Sequence, residues 1–375
     1  MTKIEAIRTE RYYLAALCGT YQLSYKKTKA LIQFFGNSAR AYAANTQELI
    51  STGLLSRDKC EKIVHDRRKE FPEEIHSYCH NNHVKLLTTD DEDYPVQLKN
   101  IHNPPMVLYL KGQLKSLNKV LGIVGSRKAS PYGVNVAETF AKDLALAGLT
   151  IVSGGARGID TAAHKGALKA EGITVAVLGC GIDVVYPHEN AHLFKQITYN
   201  GAIITEFPPG TEPLAQNFPA RNRIISGLAQ GILVVEAAHK SGAMITAEFA
   251  MDEGRDVYCI PGSIFSPTSA GSHLLLKQGA KLVDRPEDIL EDFHLLLREP
   301  PKNKDDMTDL FAELSKDCAE ATKNVINNLS FSEAKSLEEI VVATKLPLNI
   351  ISTVLLNLQV NGYISEKLGK RYIRR

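Results

Sequence analysis

The sequence has 375 residues, 44% of them hydrophobic and 23% charged, which is ordinary globular composition with length for two or three domains. No apolar run approaches the roughly 18 residues needed to cross a bilayer, and the first residues, Met1 to Arg8, contain no signal-peptide core, so a cytoplasmic protein without a membrane partner is expected. The formal charge is only +2, so a phosphate-rich partner must be held by a local cationic patch and not by a generally basic surface.

Residues 1–83 read as a small helical domain, with apolar positions such as Leu14, Leu17, Leu31, Leu49 and Ile63 separated by turn signals at Gly19, Gly36 and Gly53. Lys26, Lys27, Lys29, Arg67, Arg68 and Lys69 fit either a nucleic-acid contact or a solvated helix face. His76, Cys79, His80 and His83 share one helical face. A polar face ahead of a strand at Val84 to Thr88 explains them better than ligation does, and no metal is predicted. The six cysteines, including Cys318, are scattered without a Cys-x-x-Cys pair, as reduced and mostly buried thiols are. Residues 84 to 119 bridge to the core, with Met106 to Leu110 as an added strand.

The core alternates short apolar runs with helical patterns, the signature of a parallel α/β sheet. Strands are expected at Val120 to Val124, Leu149 to Val152, Thr174 to Leu178, Ala202 to Thr205, Ile232 to Val235 and Asp256 to Ile260. The loop after the first, Gly125-Ser126-Arg127-Lys128-Ala129-Ser130, ends in a serine cap followed by Pro131, so a helix over Tyr132 to Ala147 points its N-terminus at it. The second loop, Gly154-Gly155-Ala156-Arg157-Gly158, lets backbone amides approach an anion. Gly179-Cys180-Gly181 carries no cation. A long fourth loop carries Phe218, Arg221, Asn222 and Arg223 before a helix from Ile224 to Ala229, pairing an aromatic ring with guanidinium groups as single-strand binders do. The fifth loop offers Lys240 and Ser241. Parallel strands would bring Arg127, Arg157, Arg221, Arg223 and Lys240 to one edge, at the carboxyl ends, where open sheets bind ligands.

The dinucleotide fingerprint, the P-loop and the Gly-x-Ser-x-Gly elbow are all missing, so no cofactor and no catalytic residues are expected, and Glu236 is read as the partner of a nearby arginine. A polar linker at 298–312 precedes a C-terminal segment, 313–375, whose helices at Cys318 to Leu329, Leu337 to Thr344 and Asn349 to Val360 and final hairpin fit a winged helix. Its last helix carries no lysine or arginine up to Tyr363. A protein contact or a wing-only role through Lys367, Lys370, Arg371, Arg374 and Arg375 therefore fits better than major-groove reading.

Ser153 to Asp160, Asn217-Phe218-Pro219 with Arg221 to Gly227, Lys240-Ser241-Gly242 and Pro261-Gly262-Ser263 together resemble the DprA/Smf family of DNA-processing proteins. The resemblance implies an α/β fold with an extended Rossmann-like core over residues 84–297. Its helical N-terminal domain would be of helix-hairpin-helix or SAM-like type, and its tail a winged helix. It further implies a non-enzymatic homodimer that binds single-stranded DNA and loads RecA onto it during natural transformation. Carried over by position, Gly125, Ser126, Arg127 and Lys128, then Gly154, Gly155, Arg157 and Gly158, then Phe218, Arg221, Asn222, Arg223, Lys240 and Ser241 are the implied nucleic-acid contacts. The alternative is a nucleotide-processing enzyme similar to phosphoribohydrolases, with Lys240 to Ala243 and Glu248 as its active site, although two of that pattern's glycines are absent here.

Overall fold

The computed structural model describes residues 3–114, 117–295, 316–331, 333–360, 363–367 and 369–374; the expected linker at 298–312, the side chain of Cys318 and the residues Gly362, Leu368 and Arg375 lie outside them. Among the described residues the core is a nine-stranded sheet in the order β1-β2-β6-β5-β4-β3-β7-β8-β9. Its strands are β1 (Lys85–Thr88), β2 (Val107–Gly112), β3 (Val120–Val124), β4 (Thr150–Ser153), β5 (Thr174–Val177), β6 (Ala202–Thr205), β7 (Gly231–Val234), β8 (Asp256–Cys259) and β9 (Lys281–Leu282). β2 is antiparallel to β1 and β6, and the remaining pairs are parallel. Every residue of β3 to β7 is buried, as helices on both faces of a parallel sheet require.

Alternate strand residues feed two layers. Val152, Val175, Val177, Ile204 and Val234 pack against the helices Asn217–Leu228 and Gly242–Asp252 through Ile224, Leu228, Ala243 and Ala247. On the other face Leu121, Ile123 and Ile151 meet the helices Pro131–Leu146 and Ile159–Lys169. These two helices cross closely because Gly166 lacks a Cβ, which would lie 2.2 Å from the Glu138 carbonyl oxygen. β4, β5 and β6 follow β3 on one side, and the chain then crosses back to lay β7 on its other side. The loops leaving β3 and β7 diverge there and open a crevice at the carboxyl edge.

One expected boundary moves. The helix proposed from Ile224 begins at Asn217, so Phe218, Arg221, Asn222 and Arg223 stand on its first two turns and not on a loop. Pro219 reads as a breaker in the sequence, but at the third helical position its missing N–H has no intrahelical partner to lose.

The N-terminal helices, from Lys3–Tyr21 to Phe71–Asn81, share one core with the sheet, in which Leu17, Leu31 and Ile75 join Leu86, Tyr109, Leu178 and Ile203. Arg11 fastens them by donating to the Leu86 carbonyl at 3.0 Å and to Asp91 at 3.1 Å. Arg67 donates to the carbonyls of Tyr42 and Ala44, and Arg68 pairs with Glu74. In the histidine cluster Cys79 is buried in that core, while the His76 ring stands edge-on to Tyr12 at 4.7 Å.

At the C-terminus the helices Lys316–Asn328, Leu337–Thr344 and Leu348–Val360 enclose a separate core. They carry an antiparallel sheet of β10 (Lys335–Ser336), β11 (Ile364–Lys367) and β12 (Arg371–Arg374), the arrangement of a winged helix. Asn135 joins it to the core, its amide donating to the Arg374 carbonyl at 3.0 Å.

Candidate nucleic-acid interface

The crevice at the carboxyl edge is a cleft of about 670 Å3, lined among others by Ser126, Arg127, Lys128, Tyr186, Phe218 and Ser241. The first loop contributes Gly125 to Lys128 to its lining. A Cβ on Gly125 would lie 2.6 Å from Ile159 Cγ1, so only glycine lets the chain turn here over the neighbouring helix. The Ser126 carbonyl accepts the Ile159 N–H at 3.2 Å and the Ser126 hydroxyl accepts the Lys128 N–H at 3.1 Å, leaving the Arg127 and Lys128 side chains exposed. Ser130 caps its helix by accepting the Gly133 N–H at 3.1 Å. Among the described residues Glu236 pairs with no arginine, contrary to the expectation from the sequence. It is buried, and its carboxylate accepts the Ser130 hydroxyl at 2.5 Å and the Ser130 N–H at 2.9 Å, tying the β7 loop to the β3 loop.

The glycine loop after β4 is knitted shut by its neighbours. Gly155 and Gly158 have φ of 66° and 76°, the left-handed region in which glycine is favoured. The Gly154 carbonyl accepts from Arg221 at 2.6 Å, the Gly155 carbonyl from Asn190 at 2.9 Å, and the Ala156 N–H donates to Asp160 at 3.3 Å. Arg157 is exposed and pairs with Glu189. These bonds engage two carbonyls and one amide of the loop, and of residues 154–158 Ala156 lines the cleft.

Arg221 departs most from the sequence reading. It is only 3% exposed, and besides Gly154 it donates to the Val177 carbonyl and, through Nε, to Asn222 Oδ1 at 3.2 Å. Burial pushes its pKa down to about 10 against the pull of the Asp160 charge, so it stays cationic at neutral pH. Asp160 is itself pushed up by burial, with Arg221 and the Ala156 N–H opposing. Asn222 also serves the scaffold, donating to the Gly242 carbonyl at 3.0 Å. Arg223 turns away from the cleft: it grips Glu206 with two bonds of 2.6 Å and the Asn103 carbonyl at 3.0 Å, beside the N-terminal helices. The expected convergence of five cations therefore reduces to an exposed Arg127, with Lys128 beside it and the buried Arg221 beneath.

Phe218 lines the cleft. Gly179 makes room for its ring, since a Cβ there would lie 2.8 Å from Phe218 Cδ1. The Arg127 guanidinium sits 4.6 Å from the ring centroid, and the Tyr186 ring lies 5.8 Å away at 42°. Tyr186 and Asn190 escape the sequence reading because their loop carries no cation. Its aromatic residue is the signal that could have found it. Ser241 caps the helix Gly242–Asp252 without a side-chain hydrogen bond, and its buried hydroxyl has no partner among the described residues. Lys240 is exposed on the same loop, outside the cleft lining. Glu248, required by the enzymatic alternative, is exposed on that helix and likewise lines no part of the cleft.

Residues 85–294 match the family model described as DNA recombination-mediator protein A. Protein Smf of Escherichia coli is 38% identical over 331 residues, covering 87% of this chain and 86% of that protein. The DNA processing protein DprA of Streptococcus pneumoniae is 47% identical over 204 residues, 54% of this chain and 72% of that one. The X-ray structure of the S. pneumoniae DprA superposes with a TM-score of 0.65 at 35% identity, over 75% of this chain and 97% of that chain. DNA processing protein A from Helicobacter pylori, whose structure is described for its single-stranded DNA binding mode, gives 0.52 at 29% identity, over 56% and 95%. The chain belongs to the DprA/Smf family of DNA-processing proteins.

Proposed function

We propose that the carboxyl-edge cleft grips single-stranded DNA without reading its sequence and without catalysing a reaction on it. The observation that carries this reading is the stack of Arg127 on Phe218 in an open cleft. A guanidinium held over a ring by its carbon keeps N–H donors for phosphate, while the half-exposed ring and Tyr186 offer surfaces for bases. Gly242 and Ala243, at the start of an α-helix, face the same space with amides that have no intrahelical partner, next to the unpaired Ser241 hydroxyl. The single-stranded DNA binding described for the H. pylori relative supports the same reading. We further propose a cytoplasmic homodimer that passes the strand to RecA, the last in keeping with a family model described as a recombination mediator. Light scattering tests the homodimer, and RecA filament assembly on oligonucleotide coated with this protein tests the transfer.

Fluorescence anisotropy with labelled oligo-dT and a duplex of equal length, at two salt concentrations, tests the cleft. Single strand is expected to bind more tightly, with a logarithmic salt slope of roughly −0.7 per phosphate held. Arg127→Ala should weaken binding and flatten that slope. A preference for duplex, or an unchanged slope in the variant, would contradict the proposal.

A further inference from the structure

The carboxyl edge does not end at the cleft. The loop after β8 carries Ile264 and Phe265, 80% and 89% exposed. Their loop is held firmly: the Phe265 N–H donates to the Ser263 hydroxyl at 3.3 Å, the Ser266 N–H to the Ser263 carbonyl at 3.0 Å, and His273 Nε2 to the Gly262 carbonyl at 3.1 Å. Gly262 is pressed against Ser269, whose hydroxyl oxygen would lie 2.2 Å from a Cβ there. The loop is also tied to the strand-gripping side of the sheet, because the Tyr132 hydroxyl donates to the Pro261 carbonyl at 3.1 Å from the first turn of the helix that follows Arg127 and Lys128. Between the two loops lies the β7 loop, with His239 and Lys240 exposed.

We infer that Phe265 is a second stacking platform for the same strand, reached after the backbone passes over the β7 loop. The inference rests on the cleft being a single-strand site and adds the direction of the strand, from Phe218 toward β8. An aromatic ring left in water on a pinned loop is poor economy for a folded core, but it suits a ligand whose bases all present π-faces. The lysines at 128 and 240 supply counter-charge for phosphates along the way. Preorganisation of the loop means that little ordering entropy is lost when a base lands on it.

Oligonucleotide length separates this inference from the cleft reading. With strands of about four and about sixteen nucleotides, the span that single-strand-binding folds cover, Phe265→Ala should lose about 5- to 100-fold in affinity for the longer strand and none for the shorter. Arg127→Ala should weaken both. The sequence contains no tryptophan, so Phe265→Trp installs a lone indole whose emission should be quenched by the long strand and not by the short one. Equal affinity of Phe265→Ala and the parent for the long strand overturns the inference. So does an equal loss at both lengths, or a change of oligomeric state with DNA binding intact. If the parent protein binds neither length, the cleft reading itself fails.

Discussion

Arg221→Ala distinguishes a guanidinium that holds the scaffold from one that holds DNA. The side chain joins the ends of β4 and β5 to the helix Asn217–Leu228 through Gly154, Val177 and Asn222. Hydrogen bonds from a charged donor contribute about 1.5–3 kcal/mol each, and the variant leaves two buried carbonyls without their donor. Desolvating the guanidinium already costs several kcal/mol in the parent, which offsets part of that gain, so the net loss should be about 3 kcal/mol. For a folded unit of this size that corresponds to a fall in Tm of roughly 6–12 °C. Arg221→Lys should recover little of it, because a point ammonium cannot span both carbonyls and the Asn222 oxygen. Thermal unfolding followed by circular dichroism reads the effect. A Tm within about 1 °C of the parent, combined with collapsed oligo-dT affinity, would refute the scaffold argument.

His164 should make the core acid-sensitive. It is 0% exposed, and the Thr174 hydroxyl, 2.7 Å from its Nδ1, spends its own proton on the Ile151 carbonyl; Nδ1 therefore carries the imidazole proton and Nε2 has no partner among the described residues. Burial, aided by the Arg221 charge, pushes its pKa down to about 3. The unfolded chain binds the proton first, so stability is complete above about pH 6.5 and declines as pH falls toward 3, by about 2 kcal/mol at pH 5. His164→Leu should flatten the urea midpoint between pH 7 and 5, and parallel declines in parent and variant would contradict this. Gly158→Ala should damage both stability and strand binding, since its Cβ would lie 2.2 Å from the Ser126 carbonyl oxygen at a φ of 76°. Gly210→Ala, with a φ of 80° but nothing within 4 Å, should cost only about 1–2 kcal/mol of left-handed backbone strain and leave oligo-dT affinity intact. Equal binding losses in the two glycine variants would show that the Ser126 contact is irrelevant. Asp91→Asn should loosen the N-terminal helices from β1, read as faster proteolysis before Lys85, because the ion pair with Arg11 at 3.1 Å is broken.

The strands were legible because a parallel sheet buried on both faces writes each of them as a short continuous apolar run, and β3 and β6 fall where those runs lie. The capped helix after Ser130 was equally readable, since serine followed by proline is a local signal. The roles of the arginines were not. Arg221 is fixed by the carbonyls of Gly154 and Val177, and backbone atoms leave no mark in a sequence that would set them apart. Arg223 finds Glu206 from 17 residues away, and Arg157 finds Glu189 from 32, pairings that exist only once the strands are ordered. Tyr186 enters the cleft from a loop without lysine or arginine, so a search for cations passes over it.

Hydrogen–deuterium exchange with and without oligo-dT tests the central claim most directly. Binding should protect the amides of Ser126 to Lys128 and of Gly242 and Ala243, together with the loop around Tyr186, and leave the winged helix unchanged. Protection confined to β11 and β12, with the cleft amides exchanging as in the free protein, would contradict the account.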